Sequence, residues 1–382
     1  MLCHARDQDM AENQLMKDGI GESAVRRISA VLLAAGADFS EQKFHRDAMS
    51  VLESLELKDR VRHLISVMGR HLPESFPETA EILGKIRDHW VQQDDDERLM
   101  FFAAWPLIDY VAEYGLNHPH ISLPLLRYLT PLFTAEFAIR PFIEMHPEET
   151  NAHLQIWCMD SDEHVRRLAS EGCRPRLPWG KQLSTFTEDP TPVISLLENL
   201  KDDPADYVRK SVANNLNDIS KDNPEIVIET CRRWRKEKVS GRDWIIRHAT
   251  RTLIKDGHPD VFPLLGYTAK PKLRIAGPFL SSPHLMLGEA IEFAAEIEST
   301  SQEKQSVVID YALHFMRANG QTNAKVFKWK NIKLRPGQKV KIRKSHAFKV
   351  ITTRRYYPGE HQVSLLVNGK PYQDAKFVLH CP

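Results

Sequence analysis

Residues 160–180, DSDEHVRRLASEGCRPRLPWG, change character halfway along. The first half has the spacing of an amphipathic helix, with Val165, Leu168 and Ala169 on one side and Arg166, Arg167 and Glu171 available to the other. Gly172 is a stop signal, and Pro175 and Pro178 forbid continuation. Arg174, Arg176 and Trp179 are therefore expected on an irregular, proline-stiffened loop. Two arginines and an indole gathered beside a carboxylate at one helix end suit contact with a phosphodiester backbone and chemistry next to it.

The same stretch decides the fold, because it recurs. HVRRLASEG (164–172), YVRKSVANN (207–215) and WIIRHATRT (244–252) align as an aromatic residue or His, a β-branched residue, a basic residue or pair, then small residues. The starts are 43 and 37 residues apart, which suits HEAT-like repeats of two or three helices stacked into a solenoid. If Arg166 or Arg167, Arg209 or Lys210, and Arg247 point the same way, a positive stripe lines one face, with Trp244 beside it. The alternative is that each arginine only pairs with a carboxylate of a neighbouring repeat.

Upstream the period is helical throughout. Val25, Ile28, Val31 and Leu32 follow i, i+3, i+4 spacing, as do Met49, Leu52, Leu55 and Leu57, and then Val61, Leu64, Ile65 and Met68. Punctuators at Leu72–Pro73, Phe76–Pro77, Asn117–His118–Pro119 and His146–Pro147 predict helices of about 10 to 18 residues with short turns. Residues 1–20 are polar and unpatterned and read as a flexible tail.

Beyond Gly266 the period switches to two. Ile291, Phe293, Ala295 and Ile297 alternate with Glu292, Ala294, Glu296 and Glu298. Ile309, Tyr311, Leu313 and Phe315 alternate with Asp310, Ala312, His314 and Met316. With Phe327, Trp329, Val363, Leu365 and Val367, and turns at Asn319–Gly320, Pro336–Gly337, Pro358–Gly359 and Asn368–Gly369, this predicts six or seven strands in an immunoglobulin-like β-sandwich. The expected division is a tail over 1–20, a HEAT-like domain over 21–268 and a basic sandwich over 269–382.

A whole-chain charge of +1 conceals an asymmetry. Residues 270–382 hold 19 Lys and Arg against 8 Asp and Glu, a surplus of +11 that leaves −10 for residues 1–269. Residues 325–355 contain 12 Lys and Arg and no acid. Lys325, Lys328, Lys330, Lys341, Arg343, Lys344, Arg354 and Arg355 alternate with strand-forming residues there, so a polyanionic partner competes with the plain reading of a solvated surface.

Five scattered cysteines, Cys3, Cys158, Cys173, Cys231 and Cys381, form no CxxC pair. That speaks against a zinc site or a disulfide framework and for a reducing compartment. No stretch approaches the roughly 18 to 20 apolar residues of a membrane span, and the acidic start lacks a secretory h-region. The expectation is a cytoplasmic protein without membrane contact. His164, His248 and His258 lack ligand spacing and are read as structural or phosphate-contacting.

The blocks VRRLASEGCRPRLPW (165–179), VRKSVANNLNDISKDNP (208–224) and AEFAIRPF (135–142) resemble the AlkC branch of the AlkC/AlkD superfamily of HEAT-like-repeat DNA glycosylases. The resemblance spans about residues 16–265, and the sandwich matches those AlkC proteins that carry an immunoglobulin-like domain. It implies that Glu136, Glu171 and Asp218 form an acidic cluster around the lesion nucleotide, with Trp179 and Arg167 against the damaged nucleoside. It also implies a cofactor-independent, monomeric glycosylase acting on cationic alkylated bases, 3-methyladenine and also 3-methylcytosine or 1-methyladenine, in double-stranded DNA.

The chemistry is coherent with that resemblance. An N-alkylated cationic base is already a good leaving group, so the enzyme's task is to stabilise an oxocarbenium-like sugar and position water, which carboxylates do. Arg166, Arg167, Arg174, Arg176, Trp179, Arg209, Lys210, Trp244, Arg247, Lys328, Lys330, Lys341 and Arg343 are then expected to contact DNA. The residues alone leave a second reading open, in which Glu171 and Glu136 are ordinary i,i+4 partners of Arg167 and Arg140, and Asp218 is a turn residue. A non-catalytic DNA-binding scaffold built from the same modules is the functional alternative.

Overall fold

A computed structural model describes residues 15–90, 100–351 and 354–381. The chain divides between Asp222 and Asn223 into two compact units.

Within the described residues the first unit is built of 3₁₀ turns and of α-helices that run from four residues at Ile86–His89 to fifteen at Leu57–His71. Several are shorter than the spacing predicted. Five of them, beginning at Phe76, Trp105, Pro119, Pro147 and Thr191, carry proline in their first two positions, where the fixed φ suits a helix start and the missing N–H has no partner to lose.

The row Met49, Leu52, Leu55, Leu57 is not one helix. Helix Glu41–Met49 ends, Leu52–Ser54 makes a single 3₁₀ turn, and the next helix starts at Leu57. The cause is the buried Arg60, whose guanidinium takes the carbonyls of Glu53 and Leu55 and so competes with helical bonding there. Arg60 also takes the carbonyls of Lys17 and Ile20. The chain before Leu15 lies outside the described residues, but Met16–Ile20 is a 3₁₀ helix with Ile20 fully buried, so the expected tail does not extend that far.

The first two repeat blocks fall on helices Glu163–Glu171 and Asp206–Ile219, which pack against each other and are joined by the Ser170 hydroxyl donating to Ser211 at 2.6 Å and the Asn215 amide donating to the Ser170 carbonyl at 2.7 Å. Asp162 caps the first, its carboxylate accepting from the His164 N–H at 2.8 Å. Beyond Gly172 the chain leaves the helix, as the prolines require.

The second unit opens with helices Pro224–Lys236, Arg242–Ala249, Arg251–Lys255 and Val261–Leu264. The third repeat block begins on Arg242–Ala249 and runs through Thr250 into Arg251–Lys255. Eight strands follow: β1 (Leu273–Leu280), β2 (His284–Met286), β3 (Ala290–Ser299), β4 (Gln305–Met316), β5 (Thr322–Leu334), β6 (Lys339–Ala347), β7 (Gly359–Val367) and β8 (Lys370–His380). They form a β1-β3-β6 sheet and a β2-β8-β7-β4-β5 sheet, antiparallel except where the three-residue β2 runs parallel to β8. The architecture is a HEAT-like helical solenoid followed by an immunoglobulin-like sandwich.

Ile291, Phe293, Tyr311, Leu313 and Val363 fill one part of the sandwich core, and Ala295, Ile297, Ile309, Leu365 and Val367 the other. The alternation holds on β3 but not on β4, where Asp310 and Ala312 are buried too. The second face of β4 is covered, because its Val308 packs with Ile228, Leu253, Val261 and Phe262 of the preceding helices. The β7–β8 hairpin turns on Asn368 and Gly369, at φ 46 and 71, as an Asn-Gly primed turn does. Cys158, Cys173, Cys231 and Cys381 are all free.

Candidate active site

Three acids and three bases alternate across the first unit. Glu136 Oε2 is 2.7 Å from Arg167 Nη1, Arg167 Nη2 is 3.5 Å from Glu171 Oε1, and Glu171 Oε1 is 2.5 Å from Arg174 Nη1. Arg174 Nε continues to Asp218 Oδ2 at 2.7 Å, and Lys221 Nζ closes the row on Asp218 Oδ1 at 2.8 Å. Glu136, Glu171, Arg174 and Asp218 are all buried. Burial works against the charge of Arg174, but Glu171 and Asp218 outweigh it and hold its pKa above the ordinary value; Glu171 and Glu136 do the same for Arg167.

Neutral donors add to these ion pairs. The Ser211 hydroxyl donates to Glu171 Oε2 at 2.6 Å, and Thr134 donates to Glu136 Oε2 at 2.8 Å. Arg167 also lies over the Tyr207 ring, 4.7 Å from its centroid. A buried network with this many satisfied partners holds its members in one geometry.

Glu136 and Glu171 line a pocket of about 340 Å³ with the rings of Phe102, Trp105, Phe133, Phe137 and Trp179. Trp105 stacks on Phe133 and Phe137, each at 5.3 Å. Flat apolar walls with two carboxylates are suited to a flat or cationic ring and to an adjacent positive centre. Asp218 does not line this pocket; it reaches Glu171 through Arg174.

Trp179 is 54% exposed and stands at φ 65, a left-handed conformation that a bulky side chain adopts only when its surroundings impose it. Two cations hold it there. Lys58 donates to the Trp179 carbonyl, and Arg140, almost fully buried, donates to the carbonyls of Gly172 at 2.9 Å, Arg174 at 2.8 Å and Lys181 at 2.8 Å. The loop is therefore stitched from beneath on both sides of the tryptophan.

Arg140 is thus not the partner of Glu136. That corrects the i,i+4 reading for Glu136, because the carbonyls of a non-helical loop compete for the guanidinium and Arg167 takes the carboxylate, whereas Arg167 and Glu171 do form the i,i+4 pair, at 3.5 Å. Arg140, Lys58, Ser211, Thr134 and Tyr207 were not singled out from sequence. Their partners lie 32 to 121 residues away in several cases, and only Thr134, two residues before Glu136, left a local signal.

The remaining expected DNA contacts are divided. Arg166 is bound to the buried Asp203 at 2.6 Å, Arg209 to Asp206 and the Asp203 carbonyl, and Arg176 to Asp222 at 2.6 Å. These arginines are engaged within the unit, Arg209 at the start of its own helix, so a bare positive stripe is not what the first unit presents; Lys210 alone of that group is exposed and without an ion pair among the described residues. In the second unit Trp244, Arg247 and Lys328 line one cavity. Lys330 on β5 and Lys341 and Arg343 on β6 are exposed on strands that each pair on one side only. Trp329 Nε1 bonds the Arg343 carbonyl at 3.1 Å, so these two basic edge strands flank the same side of the sandwich.

Asp109 is a further acid that the sequence did not reveal. It lies in an adjoining cavity of about 200 Å³ that shares Trp105, Phe137 and Trp179 with the pocket. Its Oδ2 accepts from Trp105 Nε1 at 2.7 Å, and its Oδ1 has no partner among the described residues. Burial pushes its pKa up to about 7.

Residues 133–253 match the model of the DNA alkylation repair enzyme family, and residues 274–381 match that of the C-terminal Ig-like domain of YhaZ. The chain is 36% identical over 357 residues to uncharacterized protein YhaZ of Bacillus subtilis (strain 168), covering 93% of this chain and 96% of that protein. It is also 36% identical to the alkylpurine DNA glycosylase AlkC of Pseudomonas fluorescens, solved bound to DNA containing an abasic site analogue, with a TM-score of 0.85 over 96% of this chain and all of that one. The length of these matches and the two domain models together make the chain a member of the AlkC-type DNA alkylation repair enzymes.

Proposed function

We propose that this protein is a monofunctional DNA glycosylase that hydrolyses the N-glycosidic bond of cationic N-alkylated bases in duplex DNA, with 3-methyladenine as a principal substrate and 3-methylcytosine or 1-methyladenine as further ones. Membership of the AlkC-type repair enzymes supports an alkylpurine DNA glycosylase in general. The observation that carries the finer reading is the pairing of Glu136 and Glu171 in the wall of one aromatic pocket.

An alkylated cationic base draws the bonding pair of C1′–N towards itself and departs neutral, so no general acid has to protonate it. Positive charge moves to the sugar as the bond lengthens. Fixed carboxylates beside C1′ stabilise that charge, and one of them takes a proton from the water that adds to C1′. Glu136 and Glu171 are assigned these roles. Asp218, the third acid, is assigned a role through Arg174, whose position it fixes. Trp179 stands against the nucleoside, and Arg167 keeps Glu136 and Glu171 at their spacing.

No lysine lines the pocket among the described residues, which supports hydrolysis to an abasic site over a Schiff-base lyase route. The lesion is read while still within the helix stack, with the pocket taking the sugar side of the nucleotide. Double-stranded DNA is the partner, held by exposed cations such as Lys210, Lys330 and Arg343, and the protein acts as a monomer on the nucleoid of the cytoplasm. Among the described residues no helix is long and apolar enough to cross a membrane.

The test is release of free base from duplex containing 3-methyladenine, run beside Glu171→Gln at matched DNA occupancy. Release by the native protein and a large loss in the variant are expected. Tight, salt-sensitive binding without release by either protein would instead mean a DNA-binding scaffold.

A further inference from the structure

We propose that the cavity bounded by Trp244, Arg247 and Lys328 in the second unit is a nucleotide site, which takes one unstacked nucleotide of a DNA strand. The base would lie on Trp244 and the phosphate among Arg247, Lys255 and Lys328. The cavity encloses about 330 Å³, within the ~300–1,000 Å³ of small-molecule sites.

The aromatic part is a prepared platform. Trp244 is 44% exposed, and its ring stacks on His248 at 5.0 Å with planes 9° apart. Burial, and then the charge of Arg251, hold the His248 pKa below its ordinary value, so the ring behind the indole is neutral near pH 7. A rigid, half-exposed indole offers a π-face to any base.

The cations differ from those of the first unit. Arg166, Arg167, Arg174 and Arg176 each face a carboxylate within ion-pair distance. Arg247 donates instead to the Tyr267 hydroxyl at 3.2 Å, and among the described residues neither Lys255 nor Lys328 is in an ion pair. Lys328 is close enough to the buried Asp310 to act against the rise that burial causes in its pKa, but three cations against one acid leave the cavity lining with an excess of positive charge for an anion.

The polar floor supplies discrimination. Asp310 and Asn331 line the cavity, and Asn331 donates to Tyr267 at 2.8 Å. The β4–β5 register passes from Ile309↔Lys330 to Asp310↔Lys328 and skips Trp329, a bulge of the kind that re-aims side chains beside functional sites. A carboxyl group at this depth accepts hydrogen bonds from an exocyclic amine. Adenine, cytosine and guanine have one and thymine does not, so the first three are favoured.

The site lies outside the lining of the excision pocket, and its test uses undamaged nucleotide, so it stands or falls apart from base release. The full chain is titrated calorimetrically at low salt with 5′-deoxyadenosine monophosphate, deoxyadenosine, thymidine monophosphate and inorganic phosphate. Deoxyadenosine monophosphate is expected to bind more tightly than the other three. Trp244→Ala should weaken it roughly five- to a hundred-fold and leave phosphate unaffected, while Lys328→Ala, at an exposed strand position that tolerates truncation, should weaken both anions. Equal binding of phosphate and nucleotide with no effect of Trp244→Ala would reduce the cavity to an anion patch and overturn the proposal. Nucleotide binding that survives both substitutions, or no binding by any probe, would overturn it as well.

Discussion

Glu171 and Arg174 meet at 2.5 Å with both side chains 7% exposed, and each has a second partner of opposite charge, Arg167 and Asp218. Neutralising one member therefore leaves no charge wholly uncompensated, which separates the chemistry of Glu171 from its structural role. In a double-mutant cycle, Glu171→Gln and Arg174→Gln should couple by on the order of 1–3 kcal/mol in denaturant unfolding. Base release by Glu171→Gln should fall by about a hundredfold or more at matched occupancy, as expected on losing a buried group aimed at developing charge. Coupling near zero would mean that proximity here is without energetic consequence.

Trp179 offers a test that separates stability from activity. Its φ of 65 costs a bulky residue on the order of 1–3 kcal/mol, which offsets the ~2–3 kcal/mol that the buried half of the indole contributes. Trp179→Gly is expected to melt near the temperature of the native protein while base release falls at least tenfold, by loss of a contact worth ~1–3 kcal/mol. Lys58→Met, which removes the donor to the Trp179 carbonyl, should lower kcat more than DNA affinity. A drop in melting temperature for Trp179→Gly would show that the indole is an anchor of the core.

Much of this was legible beforehand, for identifiable reasons. Helix Glu163–Glu171 announced itself by Val165, Leu168 and Ala169 at helical spacing, and its end by Gly172 and Pro175. The strands declared themselves by period two and by Asn368–Gly369. Partnership was less legible. Spacing pairs Glu136 with Arg140, yet the guanidinium serves Gly172, Arg174 and Lys181, because a loop without helical bonds has carbonyls to satisfy. Likewise Asp310 and Ala312 read as an exposed face until the helices after Pro224 cover β4. Local pattern fixes which residues are helical or extended; it does not say which distant group will compete for a side chain.

Asp109 makes stability depend on pH in a definite sense. Burial raises its pKa from 3.8 to about 7, so the folded state binds a proton that the unfolded state releases between those values. Its contribution is present in full below about pH 4 and is lost as pH rises through about 7, at most ~4 kcal/mol for a shift of this size. Asp109→Asn keeps a carbonyl acceptor for Trp105 and removes the titration. The difference in unfolding free energy, variant minus native, should grow from pH 5 to pH 8. A difference that stays constant over that range would show that Asp109 does not titrate there.

The basic edge strands demand a test that leaves the fold standing. Deleting everything after Thr268 would not do so, since it strips Val308 from the cluster of Ile228, Leu253, Val261 and Phe262 and removes the Ser306 carbonyl that accepts from Thr268. Such a chain should lose hydrogen-exchange protection in helices from Pro224 onward, and its weak DNA binding would then report unfolding as much as lost charge. Lys330 on β5 and Arg343 on β6 are exposed and pair with no carboxylate among the described residues. Replacing both with Ala should leave melting within about 0.5 kcal/mol of native, and should reduce the slope of log K against log salt by about 2 if each meets a phosphate. Lysine and arginine on edge strands also serve simply to block edge-to-edge pairing. That role predicts an unchanged salt slope together with increased self-association of the double variant, so the two measurements, made on one protein, separate a DNA contact from a guarded edge.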